Sequence, residues 1–150
     1  MGNSYSQLSY HLVFSTRNRE RWIDPAWESD LWAYLAGVAK QEACLPLKIG
    51  GIEDHLHCLI RARPSHAPAR LVQILKTAGS RWIHQTHPHC KAFRFQEGYG
   101  AFTVSRSMEE AVMHYISGQR EHHRTVSFAD EFRSLLKRHA VRFDERYLLG

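Results

Sequence analysis

Two histidines, a tyrosine and a glutamine carry the chemistry of this chain. In Asp54-His55-Leu56-His57-Cys58 the histidines flank a single apolar residue. Side chains alternate with period two on a strand, so His55 and His57 share one face. Two imidazoles on one face are half of a metal site. Further along, Tyr115 and Gln119 stand four apart in a helical pattern and share a helix face. A metal, a tyrosine nucleophile and a third ligand together make a phosphodiester-cleaving site. A tyrosine oxygen can attack phosphorus and form a covalent phosphotyrosine. That linkage keeps the energy of the cut bond, so another strand end can reclaim it, whereas hydrolysis would lose it. A single divalent ion would polarise a non-bridging phosphate oxygen. The ordinary pKa of tyrosine is near 10, so the metal or a nearby base must help it ionise.

Each half of this constellation has a plainer reading. A His-x-His pair is compatible with solvent-facing strand histidines, and an isolated Tyr-x-x-x-Gln with a core tyrosine beside a surface amide. Two details favour the site. Leu56, Cys58 and Ile60 form an apolar face, which leaves His55, His57 and Leu59 as a pocket-like mix on the other. The helix face of Tyr115 and Gln119 also holds Met108, Ala111 and Val112, with Ile116 alongside. A glutamine on an apolar face needs a polar partner. A metal held by two histidines would satisfy its oxygen. Two imidazoles, one amide and waters are consistent with magnesium or manganese. His114 points elsewhere on the helix and is not assigned as the base.

The surrounding elements must place these residues. Residues 5–15 read as a strand, with Tyr10, Leu12 and Phe14 alternating. Thr16-Arg17-Asn18-Arg19 forms a basic loop. Asp24-Pro25 is a helix start, and Trp27, Leu31, Tyr34, Leu35 and Val38 carry that helix to about Gln41. Residues 45–52 and 55–62 read as two strands joined near Glu53-Asp54. A second helix spans about 69–85, with an apolar stripe of Leu71, Leu75, Ala78 and Trp82. Gly100 to Ser105 is the clearest part of a fourth strand. Ser107-Met108-Glu109-Glu110 reads as a capping box opening a third helix. From about residue 124 the chain reads as a polar tail with a short helix at 132–138. The order strand, helix, strand, strand, helix, strand matches an α+β, ferredoxin-like (split βαβ) sandwich with an antiparallel sheet. The helix carrying Tyr115 reads as an appendage to it.

At 150 residues the chain suits one domain, 1–150, and with 43% hydrophobic residues it can build a core. No apolar run approaches a membrane span, and no secretory signal pattern is evident. The expected location is the bacterial cytoplasm. Cys44, Cys58 and Cys90 are odd in number and widely spaced, which disfavours a disulfide framework or a cysteine-rich zinc site. The net charge of +5 is compatible with a polyanionic partner and equally with an ordinary basic protein. Arg17, Arg19, Arg70, Arg81 and Arg94 are candidates for DNA phosphates, against a solvated basic surface. Trp22 suits base stacking or the core, and Trp82 the core. His84, His87 and His89 read as solvated. His122 and His123 follow the tyrosine helix without an assignment, and Tyr147 lies in the tail.

The chain resembles the small single-tyrosine transposases of bacterial insertion sequences, whose mark is His-hydrophobic-His. Four segments carry the resemblance in the right order: 10–19, 54–60, 96–105 and 115–123. The resemblance implies an enzyme that cuts and rejoins single-stranded DNA at the ends of a mobile element, recognising hairpins there. It implies Tyr115 linked to a 5′ phosphate, with His55, His57 and Gln119 holding the metal. It also implies a homodimer, in which the tyrosine helix of one chain can complete the site of the other. Two other readings stay open. A non-catalytic nucleic-acid-binding module would carry stacking aromatics on its sheet. A metal-dependent hydrolase would leave Tyr115 without a role.

Overall fold

A computed structural model of the chain describes residues 2–150. Strands β1 (Leu8–Ser15), β2 (Leu45–Ile52), β3 (His55–Ala62) and β4 (Gly100–Val104) form one antiparallel sheet in the order β2-β3-β1-β4. Helices α1 (Glu28–Gln41) and α2 (Pro68–Thr86) follow β1 and β3. This is the expected α+β, ferredoxin-like arrangement. Three further helices complete the chain: α3 (Glu109–Ser117), α4 (Gln119–His122) and α5 (Phe128–Arg138).

Alternation sorts the central strands onto two cores. Leu12 and Phe14 of β1 and Leu56, Cys58 and Ile60 of β3 pack with Leu31, Leu35, Leu71 and Leu75 of α1 and α2. On the other face, Val13 and Phe102 pack with Phe128, Phe132 and Leu135 of α5. Leu59 and Val104 pack with Ile116 of α3. Burying a side chain of this size contributes about 1.5–3 kcal/mol. The helix after β4 is therefore no appendage. With α5 it forms a second layer that covers the histidine face of the sheet. The expected polar tail supplies that α5, because Phe128, Phe132, Leu135 and Leu136 recur at helical spacing and are buried.

Two glycines permit the close approach. A Cβ on Gly50 would meet the Ile116 side chain at 3.1 Å and its carbonyl oxygen at 3.2 Å, so α3 can sit directly against β2. A Cβ on Gly100 would meet the Phe132 ring at 2.6 Å, so α5 can press onto β4.

Two local expectations are corrected. Asp24 caps a turn, its Oδ1 accepting from the Ala26 N–H at 2.8 Å, and α1 begins only at Glu28. No capping box forms before α3, whose first residue Glu109 is turned inward. Its carboxylate accepts from Arg61 Nη2 at 2.7 Å, from Arg106 and from the Ser9 hydroxyl. These bonds tie the start of α3 to β3 and β1. The Arg61 guanidinium foremost, with Ser9 and Arg106, holds the Glu109 carboxyl down at about 2 against the effect of burial. A depressed carboxyl stabilises the fold above its unfolded value of 4.5 and loses that contribution as pH falls toward 2. Glu109→Gln is therefore expected to lower the urea midpoint at pH 7. The gap from wild type should shrink at pH 3, where wild-type Glu109 begins to protonate. An equal gap at both values would contradict this.

Candidate active site

The β1–β3 register builds the floor of the site. Val13 lies opposite His57 and Ser15 opposite His55, so His11 sits diagonally across from His57 on the same face. The two rings meet, His11 Nε2 and His57 Nδ1 being 2.7 Å apart. His55 and His57 are fully buried. They therefore do not line an open face; α3, α4 and α5 roof them.

The roof brings Tyr115, Gln119, His123 and Glu131 onto the pair. Tyr115 lies in the last turn of α3 and Gln119 starts α4, so a break at Gly118 separates them. The Gly118 N–H still bonds the carbonyls of His114 and Tyr115 at 3.1 and 3.2 Å, and both side chains keep the same side. Arg120 anchors this break, donating to Glu53 at 2.8 Å and Glu28 at 3.1 Å. Gln119 Oε1 lies 2.9 Å from His55 Nε2 and 2.9 Å from His123 Nε2. Glu131 Oε1 lies 2.9 Å from His57 Nε2 and 3.4 Å from His55 Nε2. Its Oε2 accepts from Gln119 Nε2 at 3.1 Å and from the Tyr115 hydroxyl. All four sequence-predicted residues are thus in one cluster within one chain.

The hydrogen bonds around the cluster fix where its lone pairs point. His55 Nδ1 lies 2.7 Å from the Asp54 carboxylate, which only accepts, so Nδ1 carries the hydrogen. His123 Nδ1 likewise donates to the Val126 carbonyl at 2.6 Å. In neutral rings both Nε2 lone pairs then face Gln119 Oε1, another acceptor. Turning the amide over would bring its oxygen onto the Glu131 carboxylate instead. Acceptors converging on acceptors need a positive charge between them, a proton or a cation. Burial works against a charged His55, but Asp54 and Glu131 outweigh it and raise its pKa to about 9. Glu131 shows the same demand: burial is outweighed by His123, His55 and His57, which hold its carboxyl far below the usual range. Burial keeps His57 below its ordinary value, and burial with His57 nearby takes His11 down to about 3. Burial and then Glu131 push the Tyr115 hydroxyl up.

A divalent ion fits this donor set. One ligand atom each from His55, His57, His123 and Glu131 lies within 4.8 Å of the others. Asp54 and Val126 orient two of the rings from behind, as carboxylates and carbonyls do around metal-bound histidines.

Sequence reasoning left His123 unassigned and overlooked Glu131, His11 and Asp54. Two signals were available. His123 follows Gln119 by four, and Glu131 interrupts the apolar stripe of α5. The candidate arginines are all exposed. Arg19 lines a cleft of about 310 Å³ with Arg21, Asp54 and His123, beside the cluster. Arg70 and Arg81 belong to α2, on the opposite layer. Arg94 bonds the carbonyls of Phe93 and Lys91, and Arg17 lies in the turn after β1. Trp22 is half-buried against the Phe93 ring rather than free for stacking. No described helix is long and apolar enough to cross a membrane.

Comparison with known proteins identifies the family and the fold. Residues 4–119 match the family model described as "Transposase IS200 like". The ISDra2 transposase TnpA of Deinococcus radiodurans is 26% identical over 120 residues, covering 77% of this chain and 86% of that protein. A crystal structure of a proposed transposase from Deinococcus radiodurans R1 is 26% identical. It superposes with a TM-score of 0.65, covering 79% of this chain and 96% of that one. A REP-associated tyrosine transposase bound to a REP hairpin shares the fold at 13% identity. Its TM-score is 0.60, and the match covers 84% of this chain and 74% of that one. A family model that spans most of the sequence, on a fold shared with these structures, shows that the chain belongs to the IS200-like transposases.

Proposed function

We propose that this transposase cleaves and rejoins single-stranded DNA at insertion-sequence ends through a covalent 5′-phosphotyrosine on Tyr115. The observation that carries the reading is the meeting of the Tyr115 hydroxyl with a carboxylate that also touches the buried His55–His57 pair. The Glu131 carboxylate orients the hydroxyl, whose proton leaves to solvent as the oxygen attacks. As the Tyr115 oxygen bonds to phosphorus, the bond from phosphorus to the 3′ oxygen breaks, and that oxygen takes up a proton. Rejoining is the reverse, with an incoming 3′ hydroxyl displacing the tyrosine. His55, His57 and Gln119 would hold one divalent ion, Mg²⁺ or Mn²⁺. Such an ion, when bound, supplies Lewis-acid polarisation of the phosphate. The buried surroundings of the tyrosine strengthen each of these electrostatic contacts.

Hairpin-ended single-stranded DNA is the proposed partner, a reading supported by the relative bound to a REP hairpin. Arg19 and Arg21, beside the cluster, suit the phosphates of the strand entering it. Arg17, Arg70, Arg81 and Arg94 are proposed phosphate contacts further out. A homodimer in the bacterial cytoplasm is the proposed working state. Because Tyr115 already reaches the cluster within one chain, neither protomer needs the other's tyrosine helix.

The test uses single-stranded oligonucleotides from the flanks of this protein's own gene, with Mn²⁺, Mg²⁺ or EDTA. Ion-dependent cleavage that leaves protein on the 5′ side is expected. Cleavage without attached protein would support a hydrolase, and binding without cleavage under either ion a binding module.

A further inference from the structure

We propose that His123 and Glu131 are ligands of the same ion as His55 and His57. With Gln119 the donor set becomes three imidazoles, one amide and one carboxylate, which selects a transition ion such as Mn²⁺ over Mg²⁺. The inference deepens the metal-dependent reading above and rests on it. Three observations carry it. First, His123 Nε2 has its lone pair turned inward, because Nδ1 is committed to the Val126 carbonyl. That lone pair lies 2.9 Å from an amide oxygen and 3.2 Å from a carboxylate oxygen, neither of which can donate to it. Second, Glu131 is 2% exposed and sits within the apolar stripe of α5. A carboxylate is costly to bury unless it is paired or binds a metal. Its Oε1 faces the Nε2 atoms of both His55 and His57. Third, His57 is itself backed by His11, so its Nε2 is aimed at the same point.

The set is rich in nitrogen. Imidazoles suit first-row transition ions, whereas magnesium takes oxygen ligands and keeps its waters. Two oxygens of one carboxylate then serve two purposes: Oε1 faces the ion, and Oε2 holds the Tyr115 hydroxyl. Helix α5 would therefore couple ion binding to the position of the nucleophile.

Calorimetry on the full chain, with Mn²⁺ and Mg²⁺ separately, tests the selectivity and the ligands. Mn²⁺ should bind at least about tenfold more tightly than Mg²⁺. Glu131→Gln and His123→Ala should each weaken Mn²⁺ at least about tenfold, since even residues behind metal ligands cost that much. A second measurement is independent of whether the variants fold. In wild-type protein labelled on histidine nitrogens and glutamate carboxylates, Zn²⁺ should shift the signals of His55, His57, His123 and Glu131 together. Shifts confined to His55 and His57 would overturn the proposal. So would a folded Glu131→Gln protein with wild-type Mn²⁺ affinity, or no preference for Mn²⁺. If the covalent DNA product still forms, the function above survives that result. If no ion binds and no product forms, both fall.

Discussion

Tyr115→Phe is expected to abolish the covalent protein–DNA product while leaving the fold intact. The ring remains half-buried beside His11, His57 and His122, so packing is kept. Only the hydroxyl and its hydrogen bond to Glu131 are lost. Glu131 retains its contacts with His57, His123 and Gln119, so the cost in stability should be about 1 kcal/mol. The cost in rate is of another order. Removing a covalent nucleophile from a catalytic unit lowers turnover on the order of 10⁶-fold. No product band should be visible on a denaturing gel, while circular dichroism and hairpin binding stay unchanged. Full cleavage by the variant would contradict the mechanism and favour activated water.

Ion affinity is expected to rise with pH, by about tenfold per unit between pH 6.5 and 9. The cause is His55. In the ion-free protein its pKa is raised to about 9, because Asp54 and Glu131 outweigh burial. A ligand nitrogen must shed its proton before it binds an ion, so proton and ion compete. The sign for stability runs the other way. A raised histidine stabilises the fold fully below its unfolded value of 6.5 and loses that contribution as pH rises through about 9. The shift corresponds to about 3 kcal/mol at most. Ion-free protein should therefore weaken between pH 6.5 and 9, and ion should restore it. Calorimetry in buffers of different ionisation enthalpy counts the protons released, and urea melts follow stability. His55→Ala should flatten the pH dependence of stability in the ion-free protein. Affinity independent of pH across this window would contradict the geometry of the His55 ring.

Much of this was legible from spacing alone. The His-x-His pair falls on one face of a strand whatever the partners are, and the element order gives the sandwich. Gln119 was found because an amide on an apolar helix face needs a partner. The same logic applies to Glu131, centred among Phe128, Phe132 and Leu135, but the segment looked polar overall because Arg133, Lys137 and Arg138 share the helix. His11 and Asp54 were not legible. Their role depends on the β1–β3 register and on the tip of the β2–β3 hairpin, which spacing does not specify. The apparent capping box did not form: the chain enters α3 through a 3-10 turn at Arg106–Met108, and no side chain caps the helix start. The break at Gly118 also escaped notice, since the two half-helices keep Tyr115 and Gln119 on the same side.

The most direct test of the central claim is to digest the product formed by wild-type protein on single-stranded flank DNA and identify the DNA-linked peptide by mass spectrometry. The account predicts a 5′-phosphate attached to Tyr115 and to no other residue. Attachment to Tyr99 or Tyr147, or cleaved DNA with no peptide attached, would contradict it.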